Sequence, residues 1–185
     1  MKTLKSKKNW IKIAKEHQKY DRFIQGKWLD EKIKDYYSGC FYGCMTQTND
    51  NTLLEASKVM ELPLWLVYLS EKIFEGLPKE DALLFPVQLL EAVSIKMDEE
   101  KVWKRFMYEL LMDKEKGQIT FTKKNSLQYK AVKQCADLFL DDEINQSATR
   151  STAESAAWSA WSAESAESAA YKSIGDKLIE LLEKA

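Results

Sequence analysis

The sequence predicts an all-α protein, a single-domain bundle of about seven helices, and three observations point there. Apolar residues recur at helical spacing along most of the chain. Six Gly and three Pro are too few for the turn chemistry of a β-sandwich. Residues 147–171, SATRSTAESAAWSAWSAESAESAAY, are mostly Ala and Ser, and Ala has the highest helix propensity. At 185 residues, 45% hydrophobic and 31% charged, the chain is long enough for one well-buried core.

In chain order, Trp10, Ile13, Ala14, His17 and Ile24 form the stripe of a first amphipathic helix expected to end near Gly26. His17 in that stripe reads as a hydrogen-bonded core residue rather than a catalytic one. An aromatic segment from Trp28 through Tyr36 and Tyr37 leads to SGCFYGCMTQTNDN, where Gly39 and Gly43 flank Phe41 and Tyr42. Glycines so placed imply a close backbone approach, with tight packing preferred over a ligand. Thr48 to Asp50 offers caps for a helix carrying Leu53, Leu54, Val59 and Met60. Pro63 opens the apolar helix LPLWLVYLSEKIFEGL, closed by Gly76 and then Pro78. The next helix has Asp81 and Pro86 near its start and Leu89, Leu90 and Val93 as its buried face; so short a connection makes the two antiparallel neighbours.

Asp98 caps a helix with Val102, Trp103, Phe106, Leu110 and Leu111 in one stripe, running until Gly117. QITFT, residues 118–122, reads as an extended connector, since a lone strand has no partner. Asn125 or Ser126 then caps a helix with Leu127, Ala131, Cys135 and Leu138 on one side, closing at Asp141, Asp142 and Glu143. In the Ala/Ser stretch the Ser-Ala-x triplets from Ser159 to Ala170 have period three, so the alanines spiral around a helix that is slim on every side. Its alanine stripe runs on into Ile174, Leu178, Leu181 and Leu182 of the terminal segment, and its uncharged opposite face predicts a central position. Glu164 and Glu167 interrupt the stripe. Trp158 and Trp161 lie on the flank with Arg150 and Glu154, as core anchors or, if exposed, as a binding hot spot.

Lys plus Arg (28) nearly balances Asp plus Glu (29), and a net charge of -1 gives no general attraction to nucleic acid. Any such contact would be local, at Lys2, Lys5, Lys7, Lys8 and Lys12, which a solvated helix face explains equally well. The basic start leads into an amphipathic segment and not an apolar leader, and three Cys suit no closed disulfide framework, so a cytoplasmic protein with reduced thiols is expected. Cys40 and Cys44 sit four apart, and with Cys135 and His17 they would in principle complete a zinc site. The second short cluster of such sites is missing, so buried free cysteines and no metal are expected. No phosphate loop, HExxH or nucleophile elbow is present and there is one histidine in total; no cofactor and no enzymatic activity are expected.

The Ser/Ala/Trp helix before a Leu-rich terminus, together with GCFYGCMTQ and LPLWLVYLSEKIFEGLP, resembles proteins encoded by phages and prophages of gut Firmicutes. That group includes anti-defence proteins, among them inhibitors of Cas9, and the Ala-rich helix is also similar to that of helical putative immunity proteins. The resemblance implies a binding protein in a bacterial host cell whose partner is a host defence protein, a Cas9-type nuclease, blocked in DNA recognition or cleavage. The surface expected to meet it comprises Asp141, Asp142, Glu143, Arg150, Glu154, Trp158, Trp161, Glu164 and Glu167. Sequestration of a nucleotide signal between Trp158, Trp161, Tyr42 and Tyr171, or toxin binding in the manner of an immunity protein, are the alternatives.

Overall fold

The computed structural model describes residues 6–30, 32–33, 36–47, 52–94, 96–140 and 168–185. Among them the protein is all-α, with eight α-helices, one 3-10 turn and one pair of two-residue strands. The chain gathers into two compact units, Met1–Val93 and Ser94–Ala185. No described helix is long and apolar enough to cross a membrane.

In the first unit, α1 (Lys7–Lys19) buries Trp10, Ala14 and His17. It ends well short of Gly26, because Asp21 turns to a positive φ of 50° and the chain beyond it takes up a different set of hydrogen bonds. The Ile24 N–H donates to the Gly39 carbonyl (2.7 Å), Asp30 to Ser38 (2.7 Å) and Cys40 to Lys27 (2.6 Å). Phe23 bridges Gly39 in the parallel sense, and β1 (Lys32–Ile33) pairs antiparallel with β2 (Tyr36–Tyr37). Ile24 therefore belongs to this laced segment and not to the stripe of α1. The two glycines have a common purpose: the Trp28 carbonyl fills the space that a Cβ would need at both Gly39 and Gly43. The close approach expected there is packing of backbone on backbone.

Around α2 (Phe41–Thr46) the core of this unit closes. Phe41, Tyr42, Cys44 and Met45 are all buried, and the helix touches α1, α3 (Leu53–Met60) and α4 (Leu64–Gly76). Phe41 stacks on Tyr42 with ring centroids 4.3 Å apart, and Phe23 meets Phe41 and Phe74 edge-on, contacts that add to the burial of apolar area. The cap of α3 is Thr52, whose hydroxyl accepts the Glu55 N–H at 3.2 Å; Thr48 to Asp50, the expected cap, lie outside the described residues. Ala56 and Met60 face inward from α3, whereas Leu54 is exposed.

Pro63 stands immediately before α4, as expected; Pro78, expected to close α4 after Gly76, stands two residues beyond its end and immediately before α5 (Lys79–Ala92), and Leu89, Leu90 and Val93 are buried. Pro86 sits in the middle of α5 and not near its start. α5 packs chiefly on α1, less on α4. Lys7 helps to fasten that contact by donating from Nζ to the carbonyls of Glu91 (2.9 Å) and Val93 at the end of α5, where no intrahelical donor remains.

In the second unit, the carboxylate of Asp98 caps α6 (Glu99–Met112) by accepting the Lys101 N–H at 3.1 Å. Val102, Trp103, Phe106, Met107 and Leu111 are buried, with Leu110 only half-buried. The helix ends at Asp113, four residues short of Gly117, because Asp113 Oδ1 accepts the N–H groups of Glu115 and Lys116 at 2.9 Å each and so forms a turn. Gly117 is where the chain folds back: its N–H donates to the Asp113 carbonyl at 3.0 Å, and a Cβ there would overlap the Asp113 backbone.

Gln118–Phe121 is a 3-10 turn and not an extended connector, held by the hydroxyls of Thr120 and Thr122 donating to the Gly117 and Ile119 carbonyls at 2.8 Å. Ser126 caps α7 (Leu127–Leu138), as expected, but the inward face is another one. Leu127 is 83% exposed and Ala131 is exposed, while Ala136 and Phe139 are buried and Val132 half-buried. Positions 129, 132, 136 and 139 form an equally good 3.6-residue stripe, and that one faces inward. The last helix, α8 (Ser168–Glu183), buries Ile174, Leu178 and Leu182 of the expected stripe, with Leu181 half-buried, and packs on α6. Residues 141–167, which hold most of the Ala/Ser stretch, lie outside the described residues.

Candidate functional site

Of the residues the sequence singles out, Asp141, Asp142, Glu143, Arg150, Glu154, Trp158, Trp161, Glu164 and Glu167 all lie outside the described residues, as do Lys2 and Lys5. Lys8 and Lys12 are exposed on α1, and the Lys7 ammonium is engaged by the end of α5. His17 is fully buried, its ring 5.6 Å from that of Phe23. Burial, and secondly the Arg22 guanidinium, lower its pKa to about 4, so the imidazole is neutral at pH 7. A neutral, fully buried imidazole suits the core residue expected.

A groove of about 630 Å³ in the second unit is formed by the end of α6, the 113–121 turns and the stretch of α8 from Ala170 to Glu180. Leu110, Ile174 and Phe121 supply its apolar surface, and Phe121 is 65% exposed. Around them stand five carboxylates, Glu109, Asp113, Glu115, Asp176 and Glu180, against the two ammonium groups of Lys116 and Lys177. Lys177 ties the two sides together, 3.0 Å from Glu180 and 3.9 Å from Asp113. Hydrogen bonds from Lys184 and Lys177 hold the Glu180 carboxyl down at about 2, and the turn N–H groups of Glu115 and Lys116 lower that of Asp113. These carboxylates stay charged at neutral pH and are poorly matched to proton transfer, which needs a pKa near the working pH. The groove can attract a cation.

In the first unit, Cys40, Glu71 and Glu75 form the group able to hold a metal ion among the described residues, their ligand atoms all within 4.8 Å of one another. Cys40 immediately precedes α2, and Glu71 and Glu75, four apart, share one face of the last turns of α4. Glu75 Oε2 accepts the Gly26 N–H at 2.6 Å, and Gln25 Nε2 donates to the Phe74 and Leu77 carbonyls at 2.6 and 2.8 Å, so the 25–26 turn closes the end of α4. Burial raises the Glu71 carboxyl to about 7, partly offset by hydrogen bonds from the Cys40 thiol and the Tyr42 N–H; burial and then Glu71 push the Cys40 thiol far up. Cys44, Cys135 and His17, which the sequence placed with Cys40 as a conceivable zinc set, are not in this group. The Cys44 thiol donates instead to the Gly39 carbonyl at 3.3 Å, and burial pushes its pKa up to about 12.

Neither the groove nor the thiol–carboxylate group was anticipated. A signal for the second existed: Glu71 falls on the α4 face of Val67 and Phe74, inside an otherwise apolar run. The groove had none, because its residues come from α6, a turn and α8, which only tertiary packing brings together.

No family model and no curated protein matches the sequence, and no solved structure matches the fold.

Proposed function

We propose that the chain is a non-catalytic binding protein, an anti-defence factor of the phage type directed at a Cas9-type nuclease, and that the groove beside α8 engages the target. The observation that carries this reading is the acidic lining of the groove, five carboxylates and two ammonium groups around an apolar floor, with Arg105 and Lys184 just outside it paired to Glu109 and Glu180. Such a lining complements a basic amphipathic segment, the chemistry that a nuclease holding a nucleic-acid duplex in a positive channel presents. The choice of a Cas9-type target rests on the resemblance in GCFYGCMTQ, LPLWLVYLSEKIFEGLP and the Ser/Ala/Trp stretch. With a net charge of only -1, attraction has to be local, and the exposed rim acids Glu115 and Asp176, outside the Arg105–Glu109 and Lys184–Glu180 pairs, are where it would act.

The acidic rim would repel the phosphates of a nucleotide in the groove itself. Tyr42 cannot serve as a stacking platform either, being fully buried with its hydroxyl on Ser70. The test is DNA cleavage by several Cas9 orthologues with and without the protein. Inhibition of at least one is expected, weakened about tenfold by reversing the two exposed rim charges in Glu115→Lys/Asp176→Lys. Cleavage unchanged for every orthologue sinks the reading.

A further inference from the structure

We propose that Cys40, Glu71 and Glu75 form a binding site for a divalent transition metal of the zinc class, with the thiolate and the two carboxylates as ligands and a water completing the shell. The proposal is independent of the groove and belongs to the first unit alone.

Three observations carry it. The first is the orphaned atom: Glu71 Oε2 is buried from solvent and has no hydrogen-bond partner. A buried carboxylate oxygen left without donors costs free energy, so such an atom needs an explanation, and a missing ion is one of the standard ones. The second is the donor set. The Cys40 sulfur and one oxygen each from Glu71 and Glu75 lie within 4.8 Å of one another. Tetrahedral ligands at zinc distances are separated by roughly 3.5 Å, so rotation of the two glutamate side chains inward by about 1 Å brings them to coordinating range. One soft thiolate with two carboxylates suits Zn²⁺ or Co²⁺ better than Mg²⁺ or Ca²⁺, which take oxygen alone.

The third is the position. Two acids in the last two turns of α4 oppose the negative end of the helix dipole, and Lys or Arg is absent from that last turn. A dication there would neutralise the carboxylates and the thiolate and oppose the unfavourable helix-end dipole. The supporting contacts are of the kind that orients ligands: the Gly26 N–H on Glu75 at 2.6 Å, the Tyr42 N–H on Glu71, and the Gln25 amide fastening the turn. Glu75 is exposed and supplies the way in from solvent, while Cys40 is buried behind it.

The experiment is titration of the full chain, stripped with a chelator, with Co²⁺ as a spectroscopic probe. One equivalent is expected to raise a thiolate-to-cobalt charge-transfer band in the near ultraviolet and the visible bands of a tetrahedral ion, and Zn²⁺ is expected to displace it. Cys40→Ser abolishes the charge-transfer band and Cys135→Ser leaves it intact. Glu75→Gln, exposed and still able to accept the Gly26 N–H, keeps the fold by circular dichroism and lowers affinity at least about tenfold. The proposal is overturned by the absence of a thiolate band in the wild type, by a band that survives Cys40→Ser, or by a Glu75→Gln affinity equal to that of the wild type. The Glu75 variant decides the matter even if Cys40→Ser does not fold.

Discussion

The hydroxyls of Tyr42 and Ser70 lie 2.7 Å apart in the fully buried core of the first unit, joining α2 to α4. Ser70 Oγ is also 2.6 Å from the Leu66 carbonyl, which can only accept. The single serine proton therefore goes to Leu66, and Tyr42 is the donor to Ser70. Removing the donor and removing the acceptor then differ in cost. Tyr42→Phe leaves Ser70 bonded and is expected to cost about 1 kcal/mol. Ser70→Ala strands the tyrosine O–H in the core and is expected to cost about 2 kcal/mol. Urea denaturation of the two variants checks the order, and equal losses would show that Ser70 is the donor instead.

The two glycines that admit the Trp28 carbonyl make a sharper contrast with Gly26. At Gly43 a Cβ would occupy the place of that oxygen, and the obstacle is backbone on both sides. Gly43→Ala is expected to cost about 3 kcal/mol or more, since neither partner can rotate away. At Gly26 the space is open but φ is +80°, so Gly26→Ala carries only the conformational penalty, about 1 kcal/mol. Thermal unfolding should separate the two clearly.

His17 makes part of the stability depend on pH. Its folded pKa of about 4 lies below the ordinary 6.5, so between these values the unfolded chain binds more protons. Stability contributed by the neutral imidazole is complete above pH 6.5 and falls away as the pH drops toward 4, by up to roughly 3 kcal/mol. Burial is the main cause, Arg22 adds to it and Glu16 opposes it. Glu71, raised to about 7, tilts the curve the other way over part of the same range. The informative quantity is therefore the stability difference between the wild type and His17→Gln, in which Glu71 cancels. In chelator-containing buffer that difference should change between pH 4 and 6.5 and be flat above; a difference constant over the whole range would show that His17 keeps an ordinary pKa.

What the sequence made legible follows from how local each signal is. Pro63 before α4, the Gly76–Pro78 end of that helix, the Asp98 and Ser126 caps and the stripe of α8 depend on neighbours a turn away, and each is found where expected. The face of α7 is different in kind: two stripes of similar hydrophobicity were available, and the choice was made by α6 and the 3-10 turn, against which Ala136 and Phe139 are packed. The ends of α1 and α6 were overestimated for a related reason. Gly26 and Gly117 are obvious punctuation, but Asp21 and Asp113 stop the helices first, one by its positive φ and the other by its side-chain hydrogen bonds. Candidate site residues suffered most, since the thiol–carboxylate group joins residues some thirty positions apart and the groove joins three separate elements.

The segment from Arg22 to Asp30 has no helix and no regular strand, yet Gln25, Gly26, Lys27, Trp28 and Asp30 are each tied by main-chain or side-chain contacts to α4 or to residues 38–43. It is a half-buried layer of the unit written in loop conformation, with Arg22 and Phe23 buried and Gly26 and Lys27 exposed. A protease, an inserted tag or a stretch of deuterated solvent should therefore treat it as they treat a helix: no early cleavage, no tolerated insertion, and amide exchange at Ile24, Asp30 and Cys40 as slow as in α4. Irregular backbone, here, is expected to open no sooner than the helix it closes.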